Sequence, residues 1–174
     1  ASIKHVGKFY DIRAPKSGLH GAELFFRTQS VTGTETFMMA AVLARGTTMI
    51  KNAAMEPEIV WLAEILNASG AHIEGAGTPT VTIRGGARLF QKEKSYAIVP
   101  DRIEAGSFLI LGALAAKKLT IKNIVPLHLA SLIETLEYSG VTIKQEKTSL
   151  TVCAPKDPSR LRAVSIRTHE YPGF

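Results

Sequence analysis

The stretch "TTMIKN", Thr47–Asn52, returns as "LTIKN", Leu119–Asn123, 71 residues further along the chain. Each copy follows an apolar, Ala-rich run that begins just after a Glu. The likeness spreads outward in both directions. Thr34–Met38 lies over Ala105–Leu109, and Leu43-Ala44 over Leu114-Ala115. With one deletion the register continues, pairing Leu62 with Leu132, Leu66 with Leu136, Ser69-Gly70 with Ser139-Gly140, and Ile73 with Ile143. Self-similarity at a fixed spacing marks a duplicated structural unit.

One unit can be read locally. Residues 35–45 form a helix with Phe37, Ala40, Ala41 and Ala44 on one face, stopped by Gly46. "TTMIKN" is a β-branched strand. Glu56-Pro57-Glu58 opens a second helix, with Pro in its first turn and an acid at the positive end of its dipole. Ile59, Leu62, Ile65 and Leu66 give that helix its core stripe, and Gly70 caps it. "AHIEG" and "TVTIRG" close the unit as a hairpin around Gly77-Thr78-Pro79. The outline is βαβαββ. Residues 1–14 repeat the closing hairpin, and "RAVSIRTHEYPGF" repeats the opening "GAELFFRTQSVTGT". The chain is therefore expected to start and stop within repeats, as a piece of a longer polypeptide that is unstable or aggregates alone. Residues 86–98 break the pattern with a charged turn and a strand at Tyr96–Val99, and mark the candidate crossing between two domains.

Composition is that of a globular protein, 45% hydrophobic and 21% charged over 174 residues. No apolar run approaches the roughly 18 residues of a membrane span. A lone Cys153 in "SLTVCAP" leaves no internal disulfide and suits a reducing cytoplasm. It reads as a buried structural thiol. The net charge of +6 favours anionic partners, but the basic residues are dispersed and form no nucleic-acid stripe. The five His are scattered without metal-ligand spacing. Trp61 reads as a packing residue on a helix flank.

Two places could hold chemistry. "RTQSVTGTE", Arg27–Glu35, joins a strand to a helix N-terminus and offers hydroxyls, a Gly and outward N–H groups. That composition suits a phosphate or diphosphate. It equally suits a plain N-cap by Thr32 or Thr34. In the second unit "PDRIEAG", Pro100–Gly106, takes the same place. There Arg102 could clamp an anion, or Asp101 could cap the helix with Glu104 three residues on.

The same segments resemble the UDP-N-acetylglucosamine 1-carboxyvinyltransferase family of enolpyruvyl transferases. The likeness is carried by "SVTGTETFMMAAVLARGTTMIKNAAMEPEIVWLAEILNASGAHIEGAGTPTVTIRG" and "VPDRIEAGSFLILGALAA" and runs through essentially the whole chain. It implies an α/β architecture of six βαβαββ units, three in each of two inside-out α/β barrels. Residues 1–97 would belong to the first domain and 98–174 to the second. The implied reaction moves the enolpyruvyl group of phosphoenolpyruvate to the 3-hydroxyl of UDP-N-acetylglucosamine and releases phosphate. It is the first committed step of peptidoglycan synthesis, in the cytoplasm. The resemblance implies no cofactor and no metal. Its partners are the two small-molecule substrates and the remaining units of the polypeptide, with no nucleic acid and no membrane. The family's catalytic cysteine would lie outside this chain, and Cys153 does not match it. What carries over is a nucleotide-binding loop, Thr28, Gln29, Ser30 and Val31 with Thr32 alongside. Family members often carry Lys where Thr28 stands and Gly where Thr32 stands. Glu56 and Arg102 match residues near the family's cleft. Three other readings stay open: a non-catalytic sugar-nucleotide-binding module of the same fold, a 3-phosphoshikimate 1-carboxyvinyltransferase-like enzyme, and an RNA-handling relative.

Overall fold

A computed structural model describes residues 2–91 and 95–173. The charged turn expected in the insertion falls on Lys92–Lys94, outside the described residues, as do Ala1 and Phe174. The chain divides into two compact units that meet between Ala97 and Ile98.

Unit 1 opens with a hairpin of β1 (Ser2–Val6) and β2 (Phe9–Arg13), paired antiparallel with Val6 opposite Phe9. Both faces of this ribbon meet solvent, and Phe9 is 77% exposed. A βαβαββ sequence follows: β3 (Glu23–Phe25), α1 (Val31–Leu43), β4 (Thr47–Lys51), α2 (Pro57–Ala68), β5 (His72–Glu74) and β6 (Thr80–Arg84). The sheet order is β3-β4-β6-β5. Strands β3 and β4 run parallel, which requires a crossover, and α1 supplies it. The strands alternate: Thr48 and Ile50 on β4, Val81 and Ile83 on β6, and Ile73 on β5 point into the core. They pack against Met38, Ala41 and Val42 of α1 and Ile59 and Ala63 of α2.

Helix α1 starts four residues earlier than its periodicity predicts. Ser30, not Thr32 or Thr34, is the N-cap, and its Oγ accepts the Gly33 N–H at 3.0 Å. Gly33 reads as a loop residue in the sequence, yet its N–H completes the cap. The buried face is correspondingly rotated to Thr34, Met38, Ala41 and Val42. Phe37 stays 43% exposed, its ring tilted over Phe26 at 5.7 Å. Helix α2 begins at Pro57 as predicted, with Glu58 in its first turn. Its stripe differs at one position: Ala63 fills the core, while Ile65 lies outside the buried cluster.

Unit 2 repeats most of this plan. It contains α3 (Arg102–Ala115), β7 (Leu119–Lys122), a 3₁₀ turn at Pro126–Leu129, α4 (Ala130–Tyr138), β8 (Thr142–Glu146) and β9 (Ser149–Cys153). The sheet order is β7-β9-β8, antiparallel throughout. Its core is the repeat made visible. Leu109, Ala113, Ile133, Val141, Leu150 and Val152 occupy the places of Met38, Val42, Ala63, Ala71, Val81 and Ile83. Backbone detail repeats as well. Asn52 and Asn123 end the paired strands at φ 56° and 58°. Gly70 and Gly140 leave the second helices at φ 100° and 97°, a left-handed turn that lets the next residue's N–H reach back to Leu66 and Leu136.

The strand expected at Tyr96–Val99 is not formed. Trp61 Nε1 on α2 donates to Ala97 O at 2.8 Å, and the Tyr96 hydroxyl lies 3.4 Å from Ser69 Oγ. These contacts anchor the segment to a helix. Trp61 is half-buried, as a flank residue should be, with a polar anchor added. Cys153 is half-buried at the last position of β9, opposite Thr142, and not fully enclosed. On the β8–β9 hairpin, the hydrogen bond and charge of Glu146 raise Lys144 above its ordinary pKa, while Lys144 and Ser149 lower Glu146. Both groups are solvated, and the pair acts as a turn contact.

One buried hydroxyl joins α1 to the segment after β4. Thr34 is fully enclosed. Its Oγ1 donates to Ser30 O at 2.8 Å and accepts the Ala54 N–H at 3.0 Å. Thr34→Val keeps the shape but strands a buried N–H, and should lower stability by about 1–3 kcal/mol in urea unfolding. Gly85 follows β6 where a methyl group would collide with the carbonyl oxygens of Ala41 and Ala44. Gly85→Ala is expected to cost about 1–3 kcal/mol by overpacking. A midpoint unchanged in either variant would contradict these packing assignments.

Candidate functional site: the strand-to-helix loop of unit 1

The loop from Arg27 to Thr32 leaves the end of β3 and enters α1. Three hydrogen bonds tie the loop and Phe26 just before it to the end of β4 and the residues that follow. Phe26 N–H donates to Lys51 O at 3.1 Å, Asn52 Nδ2 donates to Phe26 O at 2.8 Å, and Gln29 Nε2 donates to Ala53 O at 3.1 Å. With the Thr34 bridge, these fix the loop against residues 51–54. Asn52 can do this because Asn tolerates a left-handed backbone while its side-chain amide reaches a neighbouring carbonyl.

The five residues singled out from the sequence therefore do different things. Gln29 is half-buried and braces the loop. The Ser30 hydroxyl caps the helix. Val31, the first helical residue, packs partly on the core. Thr28 and Thr32 are exposed, as is Arg27 beside them. Among the described residues the side chains of Arg27, Thr28 and Thr32 have no hydrogen-bonding or ionic partner. The loop thus combines a braced backbone turn, a helix N-terminus and two exposed hydroxyls, with Arg27 next to Thr28 in the chain.

Sequence reasoning missed the bracing. Nothing in the spacing links Gln29 to Ala53 or Asn52 to Phe26, because both bonds cross between strands. The usable signal was the repeated Asn at the end of each paired strand. Glu56 was read as part of the run that opens α2 and as a match to the family. In the structure its Oε2 is buried and has no hydrogen-bond partner among the described residues.

The corresponding turn of unit 2 is closed on itself. Asp101 caps α3, its Oδ1 accepting the N–H groups of Ile103 at 2.8 Å and Glu104 at 2.9 Å. The carboxylate takes the place at the helix N-terminus that an external anion would want. The Arg102 guanidinium carbon stands 5.4 Å from the centre of the Tyr171 ring, a cation–π distance. A cleft of about 270 Å³ between α3 and α4 is roofed by Tyr171–Gly173, which Ser131 holds by donating its hydroxyl to Pro172 O. Among the described residues no three His, Cys, Asp or Glu side chains gather as a metal site requires. No helix there is long and apolar enough to cross a membrane.

Comparison with known proteins shows the family and the fold. The chain is 45% identical over 174 residues to a UDP-N-acetylglucosamine 1-carboxyvinyltransferase of Solibacter usitatus, and 46% identical over 163 residues to one of Myxococcus xanthus. It spans 100% and 94% of itself in these matches, but only 40% and 38% of those relatives' lengths. Among solved structures, the enolpyruvyl transferase NikO from Streptomyces tendae superposes with a TM-score of 0.63 at 25% identity, over 72% of this chain and 30% of that one. An EPSP synthase from Acinetobacter baumannii, at 19% identity and a TM-score of 0.56 over 78% of this chain and 32% of that one, supports the fold. The α/β enolpyruvyl transferase-like architecture and the resemblance read from the sequence are borne out. The sequence profile of one family matches residues 2–174, and the chain belongs to it: the EPSP synthase (3-phosphoshikimate 1-carboxyvinyltransferase) family.

Proposed function

We propose that this chain is part of an enzyme that transfers the enolpyruvyl group of phosphoenolpyruvate to the 3-hydroxyl of UDP-N-acetylglucosamine, releasing phosphate. The carrying observation is the run of relatives bearing that name at 42–47% identity across nearly all of the chain. The family's printed name also allows a 3-phosphoshikimate substrate, but these curated relatives favour the sugar nucleotide. On this reading residues 1–97 belong to the first of two domains and 98–174 to the second. The remaining units of the polypeptide complete the active centre, and the reaction serves peptidoglycan synthesis in the cytoplasm.

Within the chain the loop Thr28–Thr32 takes the substrate's diphosphate. The N–H groups at the start of α1 point at the anion, Thr28 and Thr32 offer hydroxyls, and Arg27 supplies charge. Thr28 gives a neutral donor where family members often carry Lys, and Arg27 offsets that loss. The reaction needs a general acid for the methylene carbon and a general base for the sugar hydroxyl. No residue of this chain is assigned to either role.

The test is calorimetric titration of the full-length polypeptide with UDP-N-acetylglucosamine, wild type against a variant in the loop. Thr32→Glu puts a carboxylate in the first turn of α1, where the helix dipole favours it, so the fold should persist while affinity drops about tenfold or more. Unchanged affinity would remove the loop from the site. The 174-residue chain mixed with both substrates should release no phosphate, and release at a steady rate would show that catalytic groups had been overlooked in it.

A further inference from the structure

The chain leaves both units in the same way. In unit 1 the segment after β6 returns along α2. Phe90 N–H donates to Ser69 O at 3.0 Å at the C-terminal end of that helix, and Trp61 Nε1 in its second turn donates to Ala97 O at 2.8 Å. In unit 2 the segment after β9 returns along α4. Arg162 N–H donates to Ser139 O at 2.9 Å, and the Ser131 hydroxyl donates to Pro172 O. Ser69 pairs with Ser139 in the repeat, and Trp61 and Ser131 each stand one residue before the paired Leu62 and Leu132. The same two positions on the second helix therefore hold the outgoing chain in both copies, about 12 Å apart along the helix axis.

The positions are kept while the donor changes. A hydroxyl serves in unit 2. In unit 1 the donor is an indole, the only one in the 174 residues. An indole nitrogen can donate but not accept, and it reaches further from the helix than a serine oxygen. The Tyr96 hydroxyl, 3.4 Å from Ser69 Oγ, adds a side-chain contact beside it.

What this hold controls follows from where unit 1 ends. Ala97 is the last residue of unit 1, and Asp101 is the cap of α3. Between the indole's bond and that cap stand Ile98, Val99 and Pro100. Three residues reach at most about 10 Å, and a proline fixes its own φ. Among the described residues the next main-chain bond upstream that holds the segment to α2 is that of Phe90. We propose that Trp61 is a clasp that sets the length of the link between the two units. Closed, it confines the link to Ile98–Pro100. Opened, it adds residues 91–97, and a longer link lowers the effective concentration at which one unit meets the other. This device goes beyond the proposed reaction and does not rest on it.

The experiment is limited chymotrypsin digestion of the full-length polypeptide, wild type and Trp61→Phe, with cleavage after Tyr96 read from fragment masses. Hydrogen exchange at the Phe90 N–H and urea unfolding are measured on the same samples. Phenylalanine keeps an aromatic ring on the helix flank and removes the donor. Cleavage needs Tyr96 and Ala97 lifted from the helix, so its rate follows the population of the open clasp. Losing the hydrogen bond should raise that rate about fivefold, with Phe90 protection kept within about twofold and the urea midpoint unchanged. An unchanged cleavage rate overturns the proposal, because Ala97 is then held by something other than the indole N–H. A variant that melts early or loses protection at Phe90 also overturns it, since Trp61 is then a packing residue of the whole unit.

Discussion

The first unit depends on the hydroxyl of Thr34. Enclosed on all sides, it joins the first turn of α1 to the segment after β4 through one donated and one accepted bond. A β-branched threonine is stiff at χ1 and loses little side-chain freedom when buried. The hydroxyl therefore makes two bonds from a group that is already nearly fixed. Gln29 and Asn52 extend the join on either side. The outcome is a loop whose backbone is tied to the neighbouring segment at several points, so little ordering remains for any partner to supply.

The two units show how a duplicated scaffold is specialised. At the α1 N-terminus a neutral Ser30 caps one N–H and leaves the dipole's positive end open to solvent. At the α3 N-terminus Asp101 answers two N–H groups with its own negative charge. Thr34 in one unit corresponds to Ala105 in the other, so the hydroxyl join belongs to unit 1. Cores, turn glycines and strand-ending asparagines stay in step, while helix caps and the residues behind them diverge. Within this chain the two copies agree where they pack and differ where the helix N-termini are capped.

Much of the fold was legible because its determinants are local. Pro57 at a helix start, Gly70 at a helix end and the alternation of "TVTIR" each specify an element from a few neighbouring residues. The duplicate gave a second reading of each signal, and the motif runs gave the family. What sequence could not show was cross-strand or competitive. The start of α1 was misplaced because Gly33 looked like a loop residue, and the face of Phe37 because α1 is apolar nearly all round, which leaves periodicity without a preferred direction. The missing strand at Tyr96–Val99 has suitable residues, but Trp61 claims its backbone from a distant helix. In the candidate loop, Ser30 and Val31 entered through the family resemblance alone, while spacing pointed to Thr32 or Thr34 as the cap that Ser30 provides. The division of labour between bracing Gln29 and open Thr28 was not legible, because it depends on a carbonyl at Ala53 brought close only by folding.

The division of the chain at Ala97 also bears on synthesis. Every buried residue of the first core lies between Met38 and Ile83, and every buried residue of the second between Ala105 and Val152. Among the described residues each buried cluster is drawn from its own unit. A ribosome adding about 5–20 residues per second completes the first sheet before the second core's strands emerge. The nascent chain can therefore bury its first apolar cluster while the second is still being translated. The corresponding helix of the later repeat, similarly apolar, then emerges after the first sheet has filled its core, which limits mispairing between the two copies.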